Sequence, residues 1–218
     1  MRVLIACECS GVVRRAFRAL GHSAWSNDLE PAEDGSPFHL QGDCRAIITL
    51  QNWDLIIMHP DCTCMSLSGN TTYAAGKAKH SERVEQVQWT LDLWELAKEY
   101  SPRVVLENPA SVIFPHLRKR GANVQFIQPH QFGHPEFKKT GLALHGVEPL
   151  MPTKQLKVPG KDTEEYKRWE RVFRMAPSDT RKADRARTYT GIGSAMAEQW
   201  GGPPGMEKAI EIVLGLNA

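Results

Sequence analysis

The apolar positions of this chain fall into short continuous runs separated by longer amphipathic stretches. Arg2–Cys7 is apolar after its first residue and reads as a buried strand. Glu8–Gly11 makes a turn, and Val12–Leu20 has helical spacing that Gly21 stops. Ser23–Asn27 predicts a short second strand ending at Asp28, followed by a loop rich in proline, glycine and acids. Asp54–Met58 is a further strand. Ser81 is the predicted cap of a long helix reaching about Tyr100, with Val84, Val87, Leu91, Trp94 and Ala97 on one face. Pro102 stops it before an Arg103–Leu106 strand. A helix near Ser111–Arg120 and two extended segments, Val124–Gln128 and Thr140–Leu144, continue the series. Strands alternating with helices predict the α/β class, with a doubly wound, mostly parallel sheet.

Residues 149–188 interrupt that rhythm with prolines, many charges and one helical piece, Glu164–Arg174. They read as a small basic insertion or flap on a core of residues 1–148. Residues 189–218 supply two closing helices, Gly191–Trp200 and Met206–Leu214. A chain of 218 residues fits one sizeable domain with such an appendage. The net charge is only +2, yet residues 151–190 hold eleven Lys and Arg against six Asp and Glu. That surplus suits a solvated polar segment or a surface facing phosphates, and composition leaves both open.

Composition excludes little else, but it does narrow the metal and membrane classes. No apolar run is long enough to cross a bilayer and the start MRVLIACECS lacks a signal pattern, so a cytoplasmic protein is expected. Five cysteines, with two Cys-x-Cys pairs, do not make a disulfide framework. Cys-x-Cys on a strand sends its side chains to opposite faces, which is poor zinc spacing. His59, His130, His134 and His145 come with no His-x3-His helix or acid partner, so loop hydrogen bonding is their expected role and no metal is expected.

The stretch His59–Gly69 carries the most chemistry. It follows the Asp54–Met58 strand and puts Cys62 at the carboxyl edge of a sheet, where open α/β sheets hold their ligands. Val104–Leu106 ends likewise in Glu107-Asn108-Pro109. Cys62 and Glu107 can thus stand side by side, one as nucleophile and one as proton donor or clamp. The dull alternatives are a small buried cysteine, an Asp28 that only caps a turn, and Trp89 and Trp94 as core.

Taken together, these segments resemble the DNA cytosine-5 methyltransferase superfamily, in a compact form similar to those of phages and prophages. Cys7-Glu8-Cys9-Ser10-Gly11 stands where the family has the turn under S-adenosylmethionine. Trp25–Pro31 is similar to the motif whose acid binds the ribose hydroxyls, which makes Asp28, with Leu29, a cofactor position. Gly42-Asp43-Cys44 resembles the segment near the adenine. Pro60–Ser66 matches a Pro-Pro-Cys-Gln-x-x-Ser loop, which assigns Cys62 rather than Cys64 as nucleophile, Ser66 to the catalytic set and Pro60 to the cofactor side. Glu107-Asn108-Pro109 resembles Glu-Asn-Val, and Gly193–Gln199 the last motif. The family's Gln-x-Arg-x-Arg becomes Glu136-Phe137-Lys138-Lys139-Thr140, leaving Lys138 as the catalytic-site cation and Arg185 or Arg187 as replacements for the second arginine. Residues 149–188 stand where the family has a large target-recognition domain.

The resemblance implies a Rossmann-like S-adenosylmethionine-dependent methyltransferase fold and a cofactor of that kind. The implied reaction is methylation of cytosine carbon 5 in DNA. A thiolate adds to carbon 6, and the resulting enamine attacks the methyl. Lys or Arg near the loop is expected to lower the Cys62 pKa, and Glu107 to supply a proton at ring nitrogen 3 with Asn108 fixing its geometry. Arg171, Arg174, Arg181, Lys182, Arg185 and Arg187 are the expected phosphate contacts. They suit a short or relaxed sequence context and single-stranded DNA, where flipping costs less. A free nucleotide, RNA or a modified base as substrate stays open, as does a non-catalytic DNA-binding protein.

Overall fold

The computed structural model of the chain describes residues 1–175 and 187–202. Seven strands form one sheet: β1 (Arg2–Ala6), β2 (Ser23–Asp28), β3 (His39–Gln41), β4 (Leu55–Met58), β5 (Val104–Pro109), β6 (Asn123–Ile127) and β7 (Thr140–His145). Their order is β3-β2-β1-β4-β5-β7-β6, with β7 antiparallel to both of its neighbours and the other pairings parallel. This is the doubly wound, mostly parallel, Rossmann-like α/β sheet that the sequence predicts.

Both faces of the strands are apolar because both are covered. Leu4, Ala6, Ile56, Met58, Val104 and Leu106 face a layer built from α2 (Cys44–Ile48), α4 (His80–Tyr100) and α5 (Ile113–Lys119). The alternate residues Val3, Ile5, Leu55, Ile57 and Val105 face α1 (Val12–Ala19) and the helix Thr190–Gly201, which contributes Ile192, Ala195, Met196 and Trp200. Gly141 lets the α5 side pack closely, since a Cβ there would lie 2.2 Å from the Phe114 ring. The insertion contributes two short helices, Glu164–Trp169 and Arg171–Arg174, in place of the single helical piece predicted. Phe137, Tyr166, Trp169 and His130 stack together, and Phe137 N donates to Trp169 O at 2.8 Å, which docks the first of them on the segment before β7.

Four further expectations change. Strand β3 lies in what reads as loop, a short edge strand without an alternating pattern. Helix α2, also unpredicted, follows it. Ser81 does not cap α4, whose N-cap is Lys79 and whose first residue is His80. The buried stripe of α4 begins at Arg83, not Val84, which is 54% exposed. Trp94 is core, as read, and Trp89 is partly buried against it. Met206–Leu214 lies outside the described residues.

Candidate active site

The parallel strands β1, β2, β4 and β5 all end at one edge, and the chain reverses its winding direction at β1. The crevice between β1 and β4 is therefore the topological switch point where such sheets bind ligands. Of the cofactor-side residues predicted from sequence, Cys7–Gly11 follow β1, Asp28 ends β2, Asp43 and Cys44 start α2 and Pro60 follows β4. Of the chemical ones, Cys62 and Ser66 follow β4, Glu107 and Asn108 lie on β5, and Lys138 precedes β7.

On the β1 side, Cys7 is the one non-glycine with positive φ (59°) among the described residues. A backbone so bent costs an L-residue about 1–2 kcal/mol. Its thiol hydrogen-bonds Cys44, which with burial and the charges of Asp28 and Asp43 keeps it protonated. Glu8 turns back into the start of α1: its Oε1 accepts from Val13 N (2.9 Å) and Ser10 Oγ (3.1 Å), while its buried Oε2 has no partner. Gly11, at φ 67°, opens α1. Cys9 lies among acids. Burial, then Asp28 and Glu33, raises its pKa. Asp28 closes β2, and its Oδ1 accepts from Glu30 N at 3.1 Å, the turn-capping contact weighed from sequence. The neighbouring Leu29 is 71% exposed. Asp43 caps α2 through Arg45 N (2.9 Å) and pairs with the Arg45 guanidinium, which holds its carboxyl below the usual range. Cys44 is buried in the core rather than facing the crevice.

On the β4 side, the ladder runs on past Met58: His59 N donates to Ala6 O at 2.9 Å. Met58 is paired with Leu106, so the next residue on each strand is His59 and Glu107. They meet, His59 Nδ1 to Glu107 Oε2 at 3.1 Å, and His59 Nε2 is buried without a partner. Asn108 Nδ2 donates to Pro60 O at 3.0 Å, tying the two strand ends, and Asn108 Oδ1 is also buried and unpartnered. Cys62 O accepts from Met65 N (3.1 Å) and Ser66 N (2.8 Å), a tight turn. The Cys62 loop is stitched to the segment after β5 by Leu67 N to Ala110 O (2.9 Å) and Val112 N to Met65 O (3.0 Å). Ser66 is buried, with its Oγ 3.0 Å from Ser68 Oγ.

Electrostatics reverse the expectation for the thiol. Burial, then the carboxylates of Glu107 and Asp61, push the Cys62 pKa up to about 11 against the pull of Lys138. Burial works against charge on Glu107, but the His59 hydrogen bond and Lys138 outweigh it, and its pKa is lowered. The resting pair is thus a neutral thiol beside a carboxylate.

Lys138 lies near enough for its charge to reach Cys62 and Glu107. It acts on both groups, and its Nζ donates to Arg187 O at 3.3 Å. Thr140 is buried, with its hydroxyl turned onto Lys138 O at 3.0 Å. Arg187 does not replace the missing arginine, because its side chain pairs with Glu33 on the cofactor side. Arg181, Lys182 and Arg185 lie outside the described residues. Arg171 pairs with Glu136 at 2.7 Å and Arg174 with Glu170 at 2.6 Å, so neither is the bare cation predicted.

Two residues escaped the sequence reading. His59 looks like any loop histidine until β4 and β5 are set in register. Arg83 carried a visible signal: a charge at the phase of the buried stripe of α4 demands partners.

No helix among the described residues is long and apolar enough to cross a membrane, and none of their His, Cys, Asp and Glu form a group of three that could hold a metal. No family model matches the chain, and no curated protein does either. Among solved structures it is similar to a candidate DNA modification methyltransferase encoded within a prophage of E. coli, at 13% identity and a TM-score of 0.49. That likeness covers 72% of this chain and 52% of the other. The S. pombe Dnmt2 methyltransferase gives 18% and 0.44, over 68% of this chain and 50% of that one. The Entamoeba histolytica methyltransferase EhMeth gives 12% and 0.48, over 72% and 57%. The chain thus spans about half the length of the solved structures it matches.

Proposed function

We propose that the protein is an S-adenosylmethionine-dependent methyltransferase acting on carbon 5 of cytosine in DNA. The observation that carries this reading is the pairing of Cys62 with Glu107 at adjacent strand ends. Their loops are laced by three hydrogen bonds, and Lys138 stands beside both. A nucleophile and a proton carrier held together at a switch-point crevice is what addition to a pyrimidine ring requires.

The donor set also fits the cofactor. Glu8, Asp28 and Glu33 gather negative charge around the end of β1, which suits a ligand with a sulfonium and an ammonium group. Asp28 would take the ribose hydroxyls and exposed Leu29 the adenine face. Asp43 is committed to α2, so its carboxylate contributes charge rather than a contact. When bound, S-adenosylmethionine supplies an electrophilic methyl group.

The chain's own groups handle the proton. As the Cys62 Sγ–C6 bond forms, the thiol proton passes to the Glu107 carboxylate, and Glu107 delivers a proton to ring nitrogen 3. The C5=C6 electrons become available at carbon 5, and the proton stays within the complex of protein and base. After methyl transfer, solvent water takes the carbon 5 proton, Cys62 leaves carbon 6 as the thiolate, and the nitrogen 3 proton returns through Glu107 to that thiolate, which restores both the ring and the resting site.

A groove of about 450 Å³ lined by Lys167, Arg168, Arg171, Arg174 and Met175 suits a phosphate backbone. Arg168 has no carboxylate partner among the described residues. This flap would position a strand without reading long sequence, which favours a short or relaxed context and single-stranded DNA.

Mass spectrometry of nucleosides tests the function. DNA from cells making the protein should contain 5-methylcytosine absent from cells making Cys62→Ser, and no difference would overturn the proposal. S-adenosylhomocysteine should stabilise the fold by about 2.7 kcal/mol at a hundredfold excess over its Kd. Asp28→Ala should weaken that binding without unfolding the protein, as read by thermal shift. Replacing Arg168 by Ala should reduce the slope of log affinity against log salt by about 0.9 on duplex and about 0.7 on single-stranded DNA, whereas Lys167, paired with Glu164 at 2.6 Å, should contribute less. An unchanged slope would remove the flap from the DNA interface.

A further inference from the structure

Arg83 is the largest charge that the proposed chemistry leaves unused. It lies in the first turn of α4 and is 6% exposed, yet it makes no ion pair among the described residues. Its partners are neutral acceptors: Nε donates to Cys64 O at 2.6 Å, Nη2 to Ser66 O at 3.2 Å and Nη1 to Asn70 Oδ1 at 2.8 Å. A buried cation without a counter-charge is costly, and stability alone would favour an apolar residue at this position. The planar guanidinium offers what no apolar residue can, a rigid fork of donors.

The acceptors explain the choice. The peptide unit whose carbonyl is Cys64 O has Met65 N at its other end, and Met65 N donates to Cys62 O. The unit whose carbonyl is Ser66 O has Leu67 N at its other end, and Leu67 N donates to Ala110 O beyond Glu107. One guanidinium therefore sets two peptide planes, one fixing the backbone of Cys62 and the other fixing the loop to the strand end that carries Glu107. The loop is tight as well: a Cβ at Gly69 would stand 3.1 Å from Thr63 O.

We infer that Arg83 is the positioning residue of the Cys62 loop, holding the thiol at its place beside Glu107 by orienting the Cys64–Met65 and Ser66–Leu67 peptide units. It acts through the backbone and touches neither base nor cofactor. The inference rests on the proposed function for its effect on turnover, but its effect on Cys62 is a property of the protein alone.

The test uses the full chain with Arg83→Met, Arg83→Lys and Asn70→Ala, the last removing a single acceptor outside the core. Site-resolved alkylation by iodoacetamide, read by peptide mass spectrometry, reports how Cys62 is held without any turnover. Release of the loop lets water reach a thiol whose pKa burial raises, and should speed Cys62 alkylation about tenfold in Arg83→Met, the gain in thiolate for a pKa lower by about one unit. Arg83→Lys and Asn70→Ala should fall between it and the wild type. Alkylation of Cys9 and the affinity for S-adenosylhomocysteine should stay within twofold. Turnover should drop about 100-fold in kcat, the cost of misplacing a reacting atom by about 1 Å, with KM for DNA unchanged. Unaltered Cys62 alkylation in all three variants overturns the inference, as does a parallel loss of cofactor affinity. A wild type that modifies no DNA defeats the proposed function instead, and the alkylation series still decides the role of Arg83.

Discussion

Cys62→Ser is expected to abolish covalent trapping by DNA carrying 5-fluorocytosine and to lower methylation on the order of 10⁴-fold or more, as loss of a nucleophile does. Fluorine at carbon 5 cannot leave as a proton, so the wild-type adduct persists and migrates as a single covalent species. Cys64→Ser should keep most of the trapping. Cys64 lies two residues further along the turn, where its thiol meets the Tyr73 hydroxyl. The reverse pattern would show that the nucleophile is Cys64. The free thiol adds a second check. With a pKa of about 11, Cys62 is about one part in a thousand thiolate at pH 8, so its alkylation without substrate should rise about tenfold per pH unit up to pH 10.

Turnover should not follow that slope. The resting site pairs a thiol whose pKa is raised with a carboxyl whose pKa is lowered. The reacting form, thiolate plus carboxylic acid, holds the same number of protons. Its population is therefore flat between the two titrations. kcat/KM should be level across neutral and mildly alkaline pH, falling on the acid side as the pair takes up a second proton at Glu107 and on the alkaline side only towards about 11. His59, Lys138 and Asp61 face the same groups, and a step in this plateau that His59→Gln removes would assign the proton to the histidine instead. Glu107→Ala should cost about 10²- to 10⁴-fold in kcat/KM, the range of a lost general acid–base. Glu107→Gln, which keeps a donor for ring nitrogen 3 but cannot carry the thiol proton, should lose nearly as much. Both should bind S-adenosylhomocysteine normally, because the acids of the cofactor side lie on β1 and β2. A Glu107→Gln enzyme within tenfold of the wild type would reduce Glu107 to a clamp.

Stability gives an independent reading of the same carboxyl. Its folded pKa is lowered, so its contribution to folding is present above the unfolded value and is lost as pH falls through the folded one.

Local pattern was enough for the parallel core. The runs at Arg2–Ala6, Leu55–Met58 and Val104–Leu106 are apolar on both faces, and only a sheet covered twice tolerates that. The same runs put Cys62 and Glu107 at strand ends, because a residue following a buried parallel strand has one edge to emerge from. What pattern did not carry was anything set by register or by distant partners. β3 has three residues and no alternation, and it exists because β2 offers an edge. The meeting of His59 with Glu107 depends on Met58 standing opposite Leu106, a pairing across 48 residues. The protonation of Cys62 lies beyond local pattern for the same reason. Sequence shows a lysine that lowers a thiol pKa, but burial, Glu107 at the end of β5 and the adjoining Asp61 outweigh it, and only the folded chain sets the burial and the distance to Glu107. Arg171 and Arg174 likewise count as free cations in a linear charge tally, until folding gives them Glu136 and Glu170. Local pattern thus brings Cys62 and Glu107 to the crevice edge, whereas folding sends Cys44 into the core, adds His59 to the site and sets which groups there carry charge, since charge depends on desolvation and on neighbours distant along the chain.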